Sequence, residues 1–340
     1  MSIHIVAPGL LTSVQDGGRH GHAHIGVGAA GAADSTALRI ANLLVGNTQD
    51  AAALEITLRG PRLRFEADAL VAIAGAEIDA RCSDDALPCW RPVAIRAGGE
   101  IALGGMLRGA RAYLAVAGGI DAPSVLGSRS SDINAGIGPF ARPLAAGDVL
   151  HCTSRRGPCP DLWRELDALA RKGHAGKHHA LATRWSVDPE NWFDYSGERP
   201  IRAVAGAHFD ALDDISQRAL FGHEFRIGVD SNRVGARLEG HALALRAALE
   251  LISTGVVPGT VQLPPGGTAI VLGAEGPTTG GYPRIAHVIA VDQGHLAQRR
   301  PGDFVRFAQT DLDDAQMRYL ERERALARLA ANLQRRLLES

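Results

Sequence analysis

A short apolar run, Arg111-Ala112-Tyr113-Leu114-Ala115-Val116-Ala117, ends at the glycine pair Gly118-Gly119. Short runs that stop at Gly or Pro are typical of a barrel or sandwich built from short strands. Runs of the same kind recur at 54–58, 70–74, 201–205, 268–272 and 285–291. Because the chain has 40 glycines and only 5% aromatic residues, the sequence predicts a mainly β protein with a few helices.

Helical periodicity is confined to a few segments. Over 34–45 the apolar residues return to one face, Asp34 can cap the first turn, and Gly46 can end the helix. A second helix is predicted over 211–221, with Gly222 as its stop. Both helices come early in their half of the chain.

The chain changes character after Phe307 and is predicted to be helical from Asp311 onward. One stripe of this C-terminal amphipathic helix carries four leucines, which need an apolar cover: Leu326, Leu329, Leu333 and Leu337. The helix either folds back on its own protein or serves as a docking or oligomerisation helix, and the sequence leaves both alternatives open.

The length of 340 residues favours two domains. Two short patterns recur in the same order, which indicates a duplicated plan unless the matches arise by chance. They are Leu58-Arg59-Gly60-Pro61-Arg62-Leu63 with Leu238-Glu239-Gly240-His241-Ala242-Leu243, and Gly147-Asp148-Val149 with Gly302-Asp303-Phe304. The expected organisation is a first barrel half over 1–153, a polar linker or insertion over 154–200, a second barrel half over 201–308, and the C-terminal helix over 311–340.

Charge and composition exclude several classes of protein. The 36 basic and 37 acidic residues give a net charge of −1, which argues against a nucleic-acid-binding protein. The first residues lack a signal-peptide pattern and no stretch approaches eighteen apolar residues, so we expect no membrane partner and a cytoplasmic location. The four cysteines, Cys82, Cys89, Cys152 and Cys159, lack C-x-x-C spacing and are expected to be reduced thiols.

No known nucleotide-binding, hydrolase or metal-site motif in this sequence is supported by its neighbouring residues. Gly26-Val27-Gly28-Ala29-Ala30-Gly31 matches a dinucleotide-binding fingerprint, but no buried strand precedes it, so we reject a Rossmann domain. There is no P-loop and no G-x-S-x-G elbow. His174, His178 and His179 lie in a polar segment without a rigid frame, and no metal site is predicted.

Four polar clusters remain, each in a glycine- or serine-rich turn where binding groups usually lie. Activating an amide needs cations for a developing oxyanion or phosphoryl group and carboxylates that move protons or hold Mg²⁺. The candidate catalytic residues in these clusters are Asp16, Arg19, Arg129, Asp132 and Arg233. The candidate substrate-binding residues are Gln15, Asn232, Thr278, Thr279 and Tyr282.

The alternative for each cluster residue is that it caps a turn or pairs with a neighbour. The collection of clusters in both halves favours function. We expect Asp16, Arg129 and Arg233 to line one cleft, because all three lie in turns rather than in apolar runs.

Longer motifs, several of which include these turns, resemble those of a known protein family, and the resemblance covers about residues 3–308. They are Pro8-Gly9-Leu10-Leu11-Thr12-Ser13-Val14-Gln15-Asp16-Gly17-Gly18-Arg19, Ala37-Leu38-Arg39-Ile40-Ala41-Asn42, Leu126-Gly127-Ser128-Arg129-Ser130, Val257-Pro258-Gly259-Thr260-Val261-Gln262 and Thr278-Thr279-Gly280-Gly281-Tyr282-Pro283. The chain resembles the KipA family, which comprises the 5-oxoprolinase C-subunits (PxpC-like proteins) and is also called allophanate hydrolase subunit 2, within the biotin-dependent carboxyltransferase family.

The resemblance implies two cyclophilin-like β-barrel units in one chain. It implies two partners, a KipI-like (PxpB-like) protein and a LamB/YcsF-like protein, which together with this chain would open 5-oxoproline (pyroglutamate) to L-glutamate with ATP and Mg²⁺. It also adds Asp34 to the candidate catalytic residues and Gln262 to the candidate substrate-binding residues.

Two other functions remain open under the same resemblance. The fold also serves as the carboxyltransferase component of biotin-dependent urea or guanidine carboxylases of the urea amidolyase type, which would require biotin. A KipA-type regulatory binding protein is the third alternative.

The chain departs from the family pattern at three points. Ala33 and Val234 stand where Met is usual, and both are apolar replacements. Glu275-Gly276-Pro277 stands where Asp-Arg-Gln is usual, which removes a cation and an amide from a turn next to Thr278. An altered substrate preference or a weaker activity is the expected consequence.

Overall fold

The computed structural model describes residues 1–83, 85–153, 162–164, 179–194 and 196–338. For Leu338 only the backbone is described. It divides into two compact units. The first comprises Met1–Gly18, Ser35–Phe193 and Ala325–Ser340, and the second comprises Arg19–Asp34 and Asp194–Arg324. The predicted fold class is confirmed, since the described chain is mainly β, with a closed barrel and a C-terminal helix.

The first unit is built on one eleven-stranded sheet. Its strands are β1 Ser2–Ala7, β2 Leu11–Gln15, β3 Ala53–Thr57, β4 Arg62–Phe65, β5 Ala69–Cys82, β6 Asp85–Ala86, β7 Val93–Ile95, β8 Glu100–Val116, β9 Ile120–Asp121, β10 Val149–Cys152 and β11 Ala180–Ala182. The main path runs β11-β7-β5-β8-β4-β1-β10-β9, while β2 joins through β3.

The long antiparallel pair of β5 and β8 forms the centre of this sheet. Its register shifts between Gly75 and Ala80, which lets strands of fourteen and seventeen residues bend. Val71, Ile73 and Leu114 of this pair are buried in the core of the unit. Helix α1, Ser35–Leu44, packs on β5 and β8 through its buried face, and it begins directly after Asp34 as predicted.

Within the expected linker, 154–161, 165–178 and residue 195 lie outside the described residues. Its described parts up to Phe193 belong to the first unit, and those from Asp194 onward belong to the second. Trp163 is buried, Phe193 packs edge-on against Trp90 at 5.2 Å, and β11 pairs with β7. His174 and His178 lie outside the described residues, whereas the carbonyl of His179 accepts the N–H of Arg96 at 2.8 Å.

The second unit contains a closed barrel in the order β12-β19-β16-β17-β14-β13-β20. The strands of this unit are β12 Ile201–Ala205, β13 Glu224–Ile227, β14 Gly235–Glu239, β15 Thr254–Gly255, β16 Thr260–Gln262, β17 Ala269–Leu272, β18 Thr279–Gly280, β19 Arg284–Val288 and β20 Phe304–Thr310. Strands β15 and β18 form a separate two-stranded sheet. The barrel closes through the parallel pairing of β12 with β20.

Alternating residues of these strands fill the barrel, including Phe225 and Phe307, whose ring centroids lie 6.1 Å apart. Helix α2, Asp214–Gly222, is capped by the side chain of Asp213, which accepts the N–H of Ser216. Helix α3, Ala290–Ala297, follows β19. The expected helix over 211–221 therefore starts three residues later than predicted.

The recurring Gly-Asp pattern makes the same turn in both units. In 147–149 the glycine N–H donates to the carbonyl of Ile5 at 2.9 Å, and the N–H of Ile5 donates to the aspartate carbonyl at 2.9 Å. In 302–304 the N–H of Gly302 donates to the carbonyl of Ile227 at 2.7 Å, and the N–H of Ile227 donates to the carbonyl of Asp303 at 2.8 Å. This shared geometry supports the duplicated plan.

The C-terminal helix α4 spans Leu312–Leu338, and Asp311 caps it by accepting the N–H of Asp314 at 2.8 Å. Leu326, Leu333 and Leu337 are buried, and Leu329 is partly buried. The predicted stripe is thus covered within the chain, which supports a helix folded back on its own protein.

Two further findings concern the described residues. No helix among them is long and apolar enough to cross a membrane.

Cys82, Cys89 and Cys152 are free thiols, whereas Cys159 lies outside the described residues. Burial raises the pKa of Cys89 to about 11 and that of Cys152 to about 12, so both remain protonated and unreactive at neutral pH.

Candidate functional site

In the first unit, Asp16 is the centre of a hydrogen-bonded cluster at the end of β2. Its Oδ1 accepts the hydroxyls of Ser128 and Ser130, each at 2.6 Å, and the N–H of Gly18 at 2.9 Å. Its Oδ2 accepts the N–H of Arg129 at 2.5 Å. The backbone N–H of Asp16 donates in return to Ser130 Oγ at 2.9 Å, so the carboxylate fixes the turn that carries Arg129.

Burial alone would raise the pKa of Asp16, which is only 8% exposed. The hydrogen bonds from Ser128, Ser130, Arg129 and Gly18 outweigh burial and lower the pKa below its ordinary value. Asp16 is therefore an anion at neutral pH with its oxygens occupied by donors. A general base needs a pKa near neutrality and an accessible lone pair, so this geometry suits a positioning role for Asp16.

Arg129 is the exposed member of the cluster. Its Nε donates to the carbonyl of Ala122 at 2.9 Å, which fixes the direction of the side chain. Within the described parts of the chain, no hydrogen-bond partner is present for its two Nη atoms. A guanidinium held in this way can bind a carboxylate or phosphoryl group with two parallel hydrogen bonds.

Gln15 and Asp132 lie beside this cluster but are buried. The amide nitrogen of Gln15 donates to Ser13 Oγ at 3.0 Å and to the carbonyl of Ser131 at 2.8 Å. Asp132 accepts the N–H of Ala135 at 2.8 Å and thereby caps a turn. Both side chains support the Ser128–Asp132 segment from within.

Gly138 explains how this segment packs so closely. Its φ is +118°, and a Cβ there would lie 2.3 Å from the carbonyl oxygen of Ser130. Only glycine fits at this position. The turn that carries Arg129 is therefore fixed by Asp16 on one side and by a glycine contact on another.

In the second unit, Arg233 is buried and paired. Its Nε donates to Glu275 Oε1 at 2.6 Å, and one Nη donates to the carbonyl of Gly31 at 2.7 Å. The N–H of Glu275 donates back to the carbonyl of Arg233 at 2.9 Å. Arg233 thus ties the β13–β14 turn to the Glu275 turn and to segment 19–34.

Asp34 and Arg19 lie at the two ends of segment 19–34, and both are buried. Asp34 Oδ2 accepts the side-chain amide of Gln298 at 2.8 Å. The N–H of Arg19 donates to the carbonyl of Ala29 at 2.6 Å. Because Arg233 holds Gly31 and Gln298 holds Asp34, the segment is anchored at two points within the second unit.

The remaining predicted residues of this unit differ in exposure. Asn232 accepts the N–H of Val234 at 2.8 Å and so stabilises its own turn. Thr279 and Tyr282 are exposed and Thr278 is partly buried, whereas Gln262 is only 5% exposed. Gln262 lies directly beneath Gly280 of the threonine-rich turn.

The structure thus brings Asp16 and Arg129 together in the first unit, with Gln15 and Asp132 beside them. Arg233 belongs to the second unit, so a shared cleft stays a prediction. The organising roles of Ser128, Ser130, Glu275 and Gln298 were not predicted from the sequence. Ser128 and Ser130 stand in a quoted motif, but nothing in the sequence shows that their hydroxyls meet Asp16.

Residues 25–309 match the family described as the carboxyltransferase domain, subdomain A and B. The chain belongs to this family. The 5-oxoprolinase C-subunit of Escherichia coli (strain K12) is 40% identical over 331 residues, which cover 97% of this chain and 98% of that protein. The 5-oxoprolinase C-subunit of Haemophilus influenzae is 33% identical and covers 89% of each chain.

A solved relative in the carboxyltransferase domain family has the same fold. The Kluyveromyces lactis urea carboxylase matches 96% of this chain with a TM-score of 0.83 at 26% identity. This chain covers 29% of the urea carboxylase chain. The resemblance to the carboxyltransferase family inferred from the motifs is therefore confirmed.

Proposed function

We propose that this chain is the C-subunit of an ATP-dependent 5-oxoprolinase, which opens 5-oxoproline to L-glutamate. The observation that carries the proposal is the likeness to the E. coli C-subunit, which matches this chain along nearly the full length of both proteins. We further propose that it acts with a KipI-like protein and a LamB/YcsF-like protein. We place the complex in the cytoplasm, because its reaction consumes ATP.

The chemistry assigns different tasks to the polar residues of this chain. The lactam is a resonance-stabilised amide, and phosphorylation of its carbonyl oxygen would make its carbon accessible to water. Arg129 suits the binding of the substrate carboxylate or the phosphoryl group, because its Nε is already fixed by Ala122. Asp16 contributes by holding the backbone of Arg129 in place.

The described residues of this chain do not fit an ATP–Mg²⁺ site. The described parts of the chain contain no group of three or more His, Cys, Asp or Glu that could hold a metal ion. Asp16 has both oxygens engaged by N–H and O–H donors, and the sequence has no P-loop. We therefore propose that a partner protein of the complex binds the nucleotide.

The proposal is tested by reconstitution. Co-expression of this chain with a KipI-like and a LamB/YcsF-like protein is expected to yield ATP-dependent release of glutamate from 5-oxoproline. The measurement is glutamate formed per ADP formed, and complexes that lack one of the three proteins are the controls. Assembly of the full complex without turnover would show that the oxoprolinase assignment is wrong.

Arg129→Lys is expected to lower kcat/KM of the reconstituted complex about tenfold to a hundredfold, because lysine keeps the charge but loses the two-pronged geometry. The free energy of unfolding should stay within about 0.5 kcal/mol, since the side chain is exposed. Arg142→Lys, at an exposed arginine of the same unit, is the matched control and should leave kcat/KM unchanged. Equal kinetics for the Arg129→Lys variant and the wild type would remove Arg129 from the site.

The second candidate function is the carboxyltransferase step of a biotin-dependent urea carboxylase. The full-fold match to the K. lactis urea carboxylase favours it. In that case carboxybiotin would supply CO₂ to an amide-like nitrogen, with the biotin carboxylase and carrier on other chains. Transfer of labelled carboxylate from carboxybiotin to urea by this chain with its partner would select this function over 5-oxoproline opening.

A further inference from the structure

The first part of helix α4 carries large apolar side chains on its solvent side. Leu312, Met317, Tyr319 and Leu320 are 63%, 50%, 45% and 51% exposed. All four belong to the second unit, which ends at Arg324. Single exposed apolar residues are common, but four within 312–320 of one helix form a cluster, and clustered apolar exposure marks an interaction surface. This cluster is distinct from the leucine stripe of the same helix, which the chain itself covers.

A groove of about 350 Å³ lies beside this cluster, within the second unit. Its lining includes Leu312, Tyr319 and Leu320 of α4, Val204 of β12 and His287 of β19. Burial lowers the pKa of His287, so the imidazole adds no charge to the groove at neutral pH. A partner that covers the apolar rim of this groove would remove apolar surface from water, which favours association.

Four exposed positions of α4 form a seam with the spacing of a helix–helix contact. They are Asp313, Met317, Leu320 and Arg324, and each is exposed. Residues that alternate between steps of four and three lie on one side of a helix, where they meet the corresponding side of a second helix. The seam is acidic at its N-terminal end, apolar in the middle and basic at its C-terminal end.

This order makes the seam complementary to itself when a second copy lies antiparallel. The four positions are symmetric about the midpoint of the seam, so a two-fold axis there places Asp313 opposite the partner's Arg324 and Met317 opposite the partner's Leu320. Each contact then occurs twice. A parallel arrangement would bring like charges together at both ends of the seam, which is unfavourable. The charge order therefore selects the antiparallel arrangement.

The two end charges are not used in ion pairs within the part of the chain that the structure describes. Neither Asp313 nor Arg324 has an ion-pair partner there. Asp314 and Arg318, which lie between them on the helix, pair with each other at 2.7 Å. The seam thus has charges that a second copy can pair, whereas a neighbouring pair on the same helix is already satisfied.

We propose that this seam is the interface of a homodimer, in which the first part of α4 packs antiparallel against its copy in a second chain. Met317 and Leu320 form the apolar centre, and Asp313 and Arg324 fix the register at the two ends. At a rise of about 1.5 Å per residue the seam is about 17 Å long, which is short for a permanent interface. The dimer is therefore weak, with a Kd of about 1–100 µM, and it does not depend on the proposed function.

Sedimentation equilibrium of the full chain at about 1–200 µM tests the proposal, and the wild type should change from monomer to dimer over this range. Leu320→Glu should raise Kd at least about tenfold, because it places a charge in the apolar centre. Ile215→Glu is the matched control, since Ile215 is a helical residue of the same unit that is 62% exposed. It should dimerise as the wild type does. Both variants should keep the melting temperature of the wild type, because both side chains are exposed.

Exchange of the two end charges tests the antiparallel register. Asp313→Arg alone and Arg324→Asp alone each place like charges opposite one another at both ends of the dimer, so each should raise Kd about threefold to tenfold. The double variant restores opposite charges and should return Kd to within about twofold of the wild type. A double variant in which the two losses add would show that these residues do not face each other and would overturn the proposed interface.

Two other outcomes also overturn the homodimer. One is a chain that stays monomeric throughout the concentration range, and the other is a dimer whose Kd is the same in Leu320→Glu and the wild type. A monomeric chain in which Leu320→Glu weakens assembly with the KipI-like protein would assign the seam to that protein instead of a second copy.

Discussion

Arg233→Met is expected to lower the free energy of unfolding by about 3–5 kcal/mol, because it leaves the carboxylate of Glu275 buried without its cation. Both side chains are nearly inaccessible, and Nε and Oε1 are 2.6 Å apart. The variant also loses the bond to the carbonyl of Gly31. The measurement is urea denaturation of the full chain, with hydrogen exchange reporting on segment 19–34.

Arg306→Met is the matched control for this prediction. Arg306 pairs with Glu224 at the same distance of 2.6 Å, but both side chains are more than half exposed. Exposed pairs contribute about 0–1 kcal/mol, so the control should hardly change stability. Arg233→Met combined with Glu275→Leu should recover part of the loss, since no buried charge then remains. Similar losses for the two arginine variants would contradict the assigned role of the buried pair.

Asp16→Ala is expected to cost about 3 kcal/mol or more, because it leaves buried donors of the 128–130 turn and Gly18 without an acceptor. Activity of the reconstituted complex should fall as well, since Arg129 loses the bond that fixes its backbone. Asp79→Ala, at an exposed carboxylate of the same unit, should stay within about 0.5 kcal/mol.

The loss at Asp16 should depend on pH in a defined direction. The pKa of Asp16 is lowered in the folded protein, below its ordinary value of 3.8. The stabilisation is therefore fully present above about pH 4 and is lost as the pH falls through the lower folded value. Urea denaturation of Asp16→Ala and wild type at pH 3 and pH 7 should show the smaller difference at pH 3. A difference that is constant with pH would exclude a charged Asp16 as the organising group.

The sequence predicts those parts of the fold that depend on local pattern. Apolar runs closed by glycine become strands, and Ile201–Ala205 has the predicted bounds. The Gly-Asp repeat marks equivalent turns because in each the aspartate carboxylate accepts an N–H three residues earlier, from Ala145 and from Arg300. The lengths of β5 and β8 were not predictable, since glycines and register shifts interrupt the alternation of apolar residues there.

The roles within the candidate site were harder to predict than its location. Asp16, Arg129 and Arg233 all stand in polar turns, yet only Arg129 presents its charge to solvent. Which charged residue is buried depends on donors from distant parts of the chain, such as Ser128 for Asp16. A single sequence does not contain those contacts, so it locates polar turns without separating binding groups from positioning groups.

The structure shows which part of the family pattern is kept at Glu275-Gly276-Pro277, where the sequence predicts an altered substrate preference or a weaker activity. Glu275 occupies the position beside Arg233 and accepts its Nε. The turn closes through the N–H of Gly276, which donates to Gly273 at 3.0 Å. The sequence change therefore retains the carboxylate that the buried arginine requires, and the lost cation and amide concern the residues that follow it.

The two units exchange pieces of chain, since 19–34 belongs to the second and 325–340 to the first. On the ribosome, the first unit must wait for its closing helix until the whole second unit has been translated. Neither unit can be completed from one continuous stretch, so a cut between 193 and 194 would separate incomplete fragments. Folding of this protein is therefore expected to be largely post-translational.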